Sequence, residues 1–197
     1  MTKTTMNSKT LAIIAVFSAL SIILTLSPLK FAFPLLPFLK YQFWEVAIVI
    51  AFLLYGGKVG ISISAINTLV LFAFFPGDLP SGPIYNFIAV LSMLEGISIV
   101  QRVAGTRFSR GRELILTTLS TGVGVVTRVV AMSIVNWIVL PLSNPFGYNI
   151  APEALPELVA LVAFFNATIV LYTIPLSYFI AKAVAAGTKA QIWSSSP

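Results

Sequence analysis

Long apolar runs, broken by short polar, basic or proline-rich segments, make up most of this 197-residue chain. A membrane-spanning helix needs roughly 20 apolar residues, with a usable range of about 17 to 25. Six stretches meet or approach that length: residues 11–27, 43–55, 58–75, 84–101, 114–140 and 157–183. The second is short. The fifth and sixth are long enough to tilt or to overhang a bilayer. Gly56 and Gly57 turn the chain between the second and third runs, and PGDLPSGP (76–83) punctuates the third and fourth. QRVAGTRFSRGRE (101–113) and PLSNPFGYNIAPEALPE (141–157) make the last two breaks. The pattern predicts an all-α membrane protein of six transmembrane helices in a single compact bundle. Residues 1–197 form one domain, with short tails at about 1–10 and 184–197. No internal repeat, second domain or long linker stands out.

Composition supports the membrane class. The chain is 58% hydrophobic and 9% charged, with a mean hydropathy of +0.98. A soluble domain carries about 25% charged residues. The start, MTKTTMNSKT before LAIIAVFSALSIILTL, has the basic-then-apolar order of a signal peptide. No convincing small-x-small cleavage site precedes the proline-rich loop, so a retained first helix is expected. There is no cysteine and no histidine, which removes disulfides, cysteine nucleophiles and the commonest metal ligand.

The formal net charge is +6, and its distribution along the chain reads as topology. Basic residues collect on the cytoplasmic side of membrane proteins. With the N-terminus in the cytoplasm, Lys3, Lys9, Lys58, Arg102, Arg107, Arg110, Arg112, Lys182 and Lys189 all fall inside. Only Lys30 and Lys40 fall outside, and Arg128 lies within the fifth span. Both termini are therefore expected in the cytoplasm of a multi-pass cell-membrane protein. The basic residues form no groove or stripe of the kind that binds nucleic acid. The long outer loops, rich in proline and aromatics, favour a ligand site that opens outward.

Polar groups inside a membrane are costly and are functional candidates by default. Here they are Asn67, Asn86, Glu95, Arg128, Asn136 and Asn166. At about 1.5 Å per residue, Asn67 lies about 12 Å below the outer end of its span. Asn86, Asn136 and Asn166 also fall in the outer half, so four helices offer amides to one region. The same asparagines would serve equally as hydrogen-bonding glue between helices. Arg128 requires an acidic partner, a water cavity or an anionic ligand group. Glu95 is the acid considered for it, although it lies nearer the cytoplasmic end, and a role in the bundle or at a partner interface suits it better.

The first outer loop carries Phe31, Phe33, Phe38 and Tyr41 and is stiffened by Pro28, Pro34 and Pro37. It is the better candidate for a lid over an aromatic ligand. Trp137 and Tyr148 read as interfacial belt residues. Candidate substrate contacts are then Lys40, Tyr41, Trp44, Asn67, Asn86, Arg128, Asn136 and Asn166. In the first span, Ala15 and Ala19 make a small-xxx-small motif that admits another helix closely.

No P-loop, nucleophile elbow or metal-ligand cluster is present in the sequence. The chain is thus expected to be no enzyme and to carry no cofactor. The classes weighed are a binding subunit without enzymatic activity, an autonomous small carrier or channel coupled through Glu95 or Arg128, and a membrane enzyme or structural membrane protein.

Taken together these residues resemble the substrate-binding S components of energy-coupling factor (ECF) vitamin transporters, the riboflavin-type branch above all. The run from Pro37-Phe-Leu-Lys-Tyr-Gln-Phe-Trp-Glu45 to Gly56-Gly-Lys-Val-Gly60 is similar to that family's FLK-x-DF-x-E/D … GP-x-x-G pattern. Asn136-Trp-Ile-Val-Leu-Pro-Leu142 is similar to the branch's NYF-x-x-PL, and Phe165-Asn166 matches its FN pair. Gln42 stands where the pattern has Asp. Asn67 and Ile169 stand where the branch often has Lys. The resemblance implies a subunit that captures a vitamin or related heterocycle, riboflavin foremost, from outside. It implies partnership with a membrane coupling protein and two cytoplasmic ATPases. Ala15 and Ala19 would face the coupling protein, and ATP hydrolysis would drive the subunit to topple and release its substrate inside.

Overall fold

A computed structural model describes residues 7–75, 77–104 and 113–188. The first helix, α1, spans Ser8–Leu26 and starts at Asn7, whose side chain accepts a hydrogen bond from the Lys9 amide at 3.3 Å. That is the usual capping chemistry of asparagine. It ends at Ser27, in extended backbone before Pro28. Two strands follow, β1 (Phe31–Phe33) and β2 (Leu36–Tyr41), paired antiparallel with Phe31 opposite Tyr41 and Ala32 opposite Lys40. The all-helical expectation is corrected here, since the chain is mostly helical with one hairpin. A two-stranded ribbon has only edge strands, so Pro37 is tolerated inside β2. Phe33 and Leu36 are buried against Val162, Phe165 and Ile169, and this packing holds the hairpin on the bundle.

Helix α2 (Trp44–Tyr55) is the centre of the molecule. Every residue from Trp44 to Leu54 is buried. A helix apolar on all sides belongs in an interior. Its 12 residues reach only about 18 Å, well short of the roughly 30 Å hydrocarbon layer. The second predicted span is thus a short core helix wrapped by α1, α3, α4 and α6. Gly56 ends it with φ of +91°, a conformation that favours glycine, and the chain turns at once into α3 (Gly57–Phe74).

The other helices are α4 (Gly82–Ala104), α5 (Glu113–Val139) and, after a 3-10 turn at Pro152–Ala154, α6 (Leu155–Thr188). Among the described residues, five helices are long and apolar enough to cross a membrane. A Cβ on Gly96 of α4 would stand 2.7 Å from the Gly124 Cα of α5, so the two backbones touch there. The core runs through Ile48, Val49, Ile63, Val90, Met93, Leu94, Ile97, Val170 and Ile174.

The bundle has two distinct ends. One carries the hairpin, the start of α2, the start of α4, the 140–151 loop and the start of α6. The other carries Lys58, Arg102, Lys182, Glu95 and Glu113. Lys3, Arg107, Arg110, Arg112 and Lys189, which weigh in the topology expectation, lie outside the described residues.

Candidate functional site

A cavity of about 220 Å³ lies beneath the hairpin, among α2, α4, α5 and α6. Its roof is Phe38, Leu39 and Lys40 of β2, with Leu79 and Tyr148 from the neighbouring loops. Its walls are Tyr85, Asn86 and Ala89 of α4, Met132 and Asn136 of α5, and Val162, Phe165 and Ile169 of α6. Gln42, Trp44, Glu45, Gly82, Arg128 and Asn166 complete the lining. Apolar and aromatic walls with a few convergent polar groups are the usual make-up of a small-molecule site.

The polar floor is an ion-paired cluster. Arg128, Glu45 and Asn166 are 2%, 4% and 4% exposed. The Arg128 guanidinium donates to Glu45 through both terminal nitrogens, Nη2 to Oε1 at 2.9 Å and Nη1 to Oε2. Its Nε donates to Asn166 Oδ1 at 2.9 Å, and the Asn166 amide donates in turn to the Val162 carbonyl at 2.9 Å. Paired, hydrogen-bonded charges are the form in which ions survive burial. Glu45 lies in the first turn of α2, where the helix dipole favours a carboxylate. Glu95 instead pairs with Arg102 at 3.5 Å on the exposed surface, so the acid considered from sequence for Arg128 is replaced by Glu45. Helix α5 reaches the cluster because its Gly124, one turn before Arg128, lies against α4. Met93 Sδ of α4 then sits 3.9 Å from Nη1.

The roof is tied down at several points. Phe38 and Tyr148 rings pack with centroids 5.0 Å apart. Tyr41 packs on Phe165 at 4.9 Å, and its hydroxyl shares a 2.9 Å hydrogen bond with Thr168 Oγ1. The Tyr172 hydroxyl donates to the Gln42 carbonyl at 2.7 Å. On the far side, Ser81 and Tyr85 hydroxyls donate to the Pro145 and Phe146 carbonyls at 2.6 Å each. Burial, and then the nearby Asp78 charge, raise the Tyr148 phenol above its usual pKa. Tyr148, read from sequence as a belt residue, is therefore part of the roof.

Of the eight residues singled out from sequence, Lys40, Trp44, Asn86, Arg128, Asn136 and Asn166 line the cavity. Tyr41 stands behind it, packed on α6. Asn67 lies apart: it is fully buried on α3, which packs on α1, α2 and α4 rather than on α5 and α6. Three asparagines converge, not four. Glu45 and Gln42 are among the lining residues not named as contacts from the sequence. Charge balance is the signal for Glu45, because a lone arginine inside a span demands an acid at its own depth. Ala15 and Ala19 are exposed on α1, on a face that also presents Val16 and Ile23.

The comparisons with known proteins point one way. The chain is 31% identical over 151 residues to the riboflavin transporter RibU of Staphylococcus aureus, covering 75% of this chain and 73% of that protein. It is 36% identical over 87 residues to the riboflavin transporter FmnP of Bacillus subtilis, covering 43% and 45%. The solved structure of the S component of a bacterial ECF transporter matches with a TM-score of 0.71 at 25% identity, over 92% of this chain and 98% of that one. No protein-family model matches.

Proposed function

This chain belongs to the family of riboflavin transporters that serve as S components of ECF importers, and we propose that it is the substrate-capture subunit of such an importer, with riboflavin as its ligand. The observation that carries the reading is the roofed cavity, apolar on its walls and polar on its floor, at the hairpin end of the bundle. An isoalloxazine ring needs flat apolar faces and hydrogen-bonding groups at one edge. Phe38, Phe165, Tyr85 and Val162 offer the first, and Asn136, Asn166, Arg128 and Gln42 offer the second.

The hairpin end faces outward in this proposal, which puts both termini and the basic end in the cytoplasm. The chain then contributes six membrane-embedded helices, the short α2 being held in the bundle by its neighbours. A cavity of about 220 Å³ is smaller than the roughly 300–1,000 Å³ of typical ligand sites. Entry of a three-ring ligand with a side chain therefore requires the hairpin to lift, and the bound ligand holds it down again.

Transport requires partners. A membrane coupling protein would dock on the exposed Ala15 and Ala19 face of α1, where small side chains permit close helix approach. Two cytoplasmic ATPases would supply the energy for toppling and release. The test is uptake of labelled riboflavin into proteoliposomes holding the chain with and without that module. ATP-dependent uptake only in the presence of the module is expected. Uptake driven by an ion gradient on the chain alone overturns the proposal in favour of an autonomous carrier.

A further inference from the structure

Gln42 is the lining residue whose chemistry is left open. Its side-chain Oε1 is buried and has no hydrogen-bond partner within the protein, and Gln42 lines the cavity. Buried carboxamide oxygens are nearly always paired, and leaving one unpaired costs about 1–3 kcal/mol. The backbone of Gln42 cannot easily move to relieve this. Its carbonyl is held by the Tyr172 hydroxyl at 2.7 Å, and two residues later the chain enters α2, buried from Trp44 to Leu54. An acceptor left unmatched on a backbone-anchored residue that lines the pocket is a place for a ligand donor.

The neighbouring polar groups offer the opposite character. A guanidinium has five N–H donors. The described contacts of Arg128 engage four of them, one each on Asn166 and Met93 and two on Glu45. One N–H on Nη2 is left over. Asn166 uses one amide N–H on the Val162 carbonyl and keeps the second. The Arg128 charge is already neutralised by Glu45, so the floor offers hydrogen bonds without a net charge to match. The lining thus combines a buried unmatched acceptor with free N–H donors on a neutralised pair and its amide neighbour, the complement of a C=O/N–H/C=O edge.

We propose that Gln42 is a specificity-determining residue whose Oε1 accepts a hydrogen bond from the imide N–H of the ligand ring, the two flanking ring carbonyls facing the Arg128 and Asn166 donors. This rests on the riboflavin reading above. The isoalloxazine ring has a single imide N–H, at N3, between two carbonyls.

The experiment uses riboflavin labelled with nitrogen-15 at N3, bound to the whole chain in detergent, with Gln42→Met removing the acceptor and Gln42→Glu retaining one. Affinity is read from quenching of flavin fluorescence, and the N3–H proton is read by NMR. In Gln42→Met, Kd is expected to rise about tenfold, the weight of one buried hydrogen bond, and the N3–H resonance to move upfield. In Gln42→Glu the resonance stays downfield. The resonance decides whatever the size of the affinity change. An N3–H signal unmoved in Gln42→Met overturns the assignment, even with weakened binding, because a side chain with a packing role alone would give that result. Absence of riboflavin binding by the wild-type chain is a different failure, which removes the transporter's ligand and this assignment with it.

Discussion

Arg128 on α5 and Glu45 on α2, 83 residues apart in sequence, form a two-pronged ion pair inside the bundle. This pair ties the short core helix to the long fifth one directly beneath the cavity. It also fixes the guanidinium plane from which Nε reaches Asn166.

Breaking the pair on one side strands a buried charge, which typically costs about 3–5 kcal/mol. Arg128→Met is expected to lower the thermal midpoint in detergent sharply. Arg128→Met combined with Glu45→Leu should recover most of that loss, since the double change removes both charges. A midpoint for Arg128→Met equal to wild type would mean that the pair adds nothing to the fold.

The two buried asparagines should behave differently. Asn166 lines the cavity and holds the Arg128 Nε, whereas Asn67 sits on α3 away from it. Asn166→Ala is expected to weaken riboflavin binding by at least about tenfold, the loss of one or more buried hydrogen bonds. Asn67→Ala should leave Kd within about twofold, as for a residue with no shared partner in the site. Equal losses in isothermal titration would put Asn67 back among the ligand contacts.

Phe38 and Tyr148 join the hairpin to the 140–151 loop across the roof. A ring pair of this kind is worth about 0.5–1.5 kcal/mol beyond its buried area. Phe38→Ala and Tyr148→Ala should each speed riboflavin dissociation by about two- to tenfold, with a smaller effect on association. Stopped-flow fluorescence measures both rates. Unchanged dissociation in both variants would mean that the roof does not act as a lid.

The α1 face carrying Ala15 and Ala19 should be separable from ligand binding. Ala15→Trp or Ala19→Trp is expected to prevent co-purification with the coupling module while leaving riboflavin Kd unchanged. Normal assembly of both variants would move the docking surface elsewhere.

Much of this molecule was legible in the residues. Hydropathy is a local property, so the apolar runs located all six helices to within a few residues. Pro34, Pro37 and the flanking aromatics Phe31, Phe33 and Phe38 marked the 28–42 segment as a structured loop. They did not reveal strands, because only Phe33 and Leu36 face inward and so short an alternation carries no period. The motif around Lys40 and Glu45, with Asn136 and Phe165-Asn166, was enough to carry the family resemblance, because family motifs are held in the sequence itself.

What the sequence could not decide was which side chains meet. The rotation of each helix about its axis, and its choice of neighbours, are set by packing of the whole bundle. That packing turned Arg128 toward Glu45 and left Glu95 to Arg102 at the surface. It placed Asn67 on α3, which packs mainly on α1, α2 and α4, and it made the second span a core helix too short to cross on its own. Sequence thus determined that a ligand-binding membrane bundle forms and which polar groups it had to accommodate. Tertiary structure alone decided which groups neutralise one another, and which, like the Gln42 oxygen, are left without a partner in the protein. The reason is physical: burial makes an unpaired polar atom costly, but only the assembled helices determine which partner is within reach.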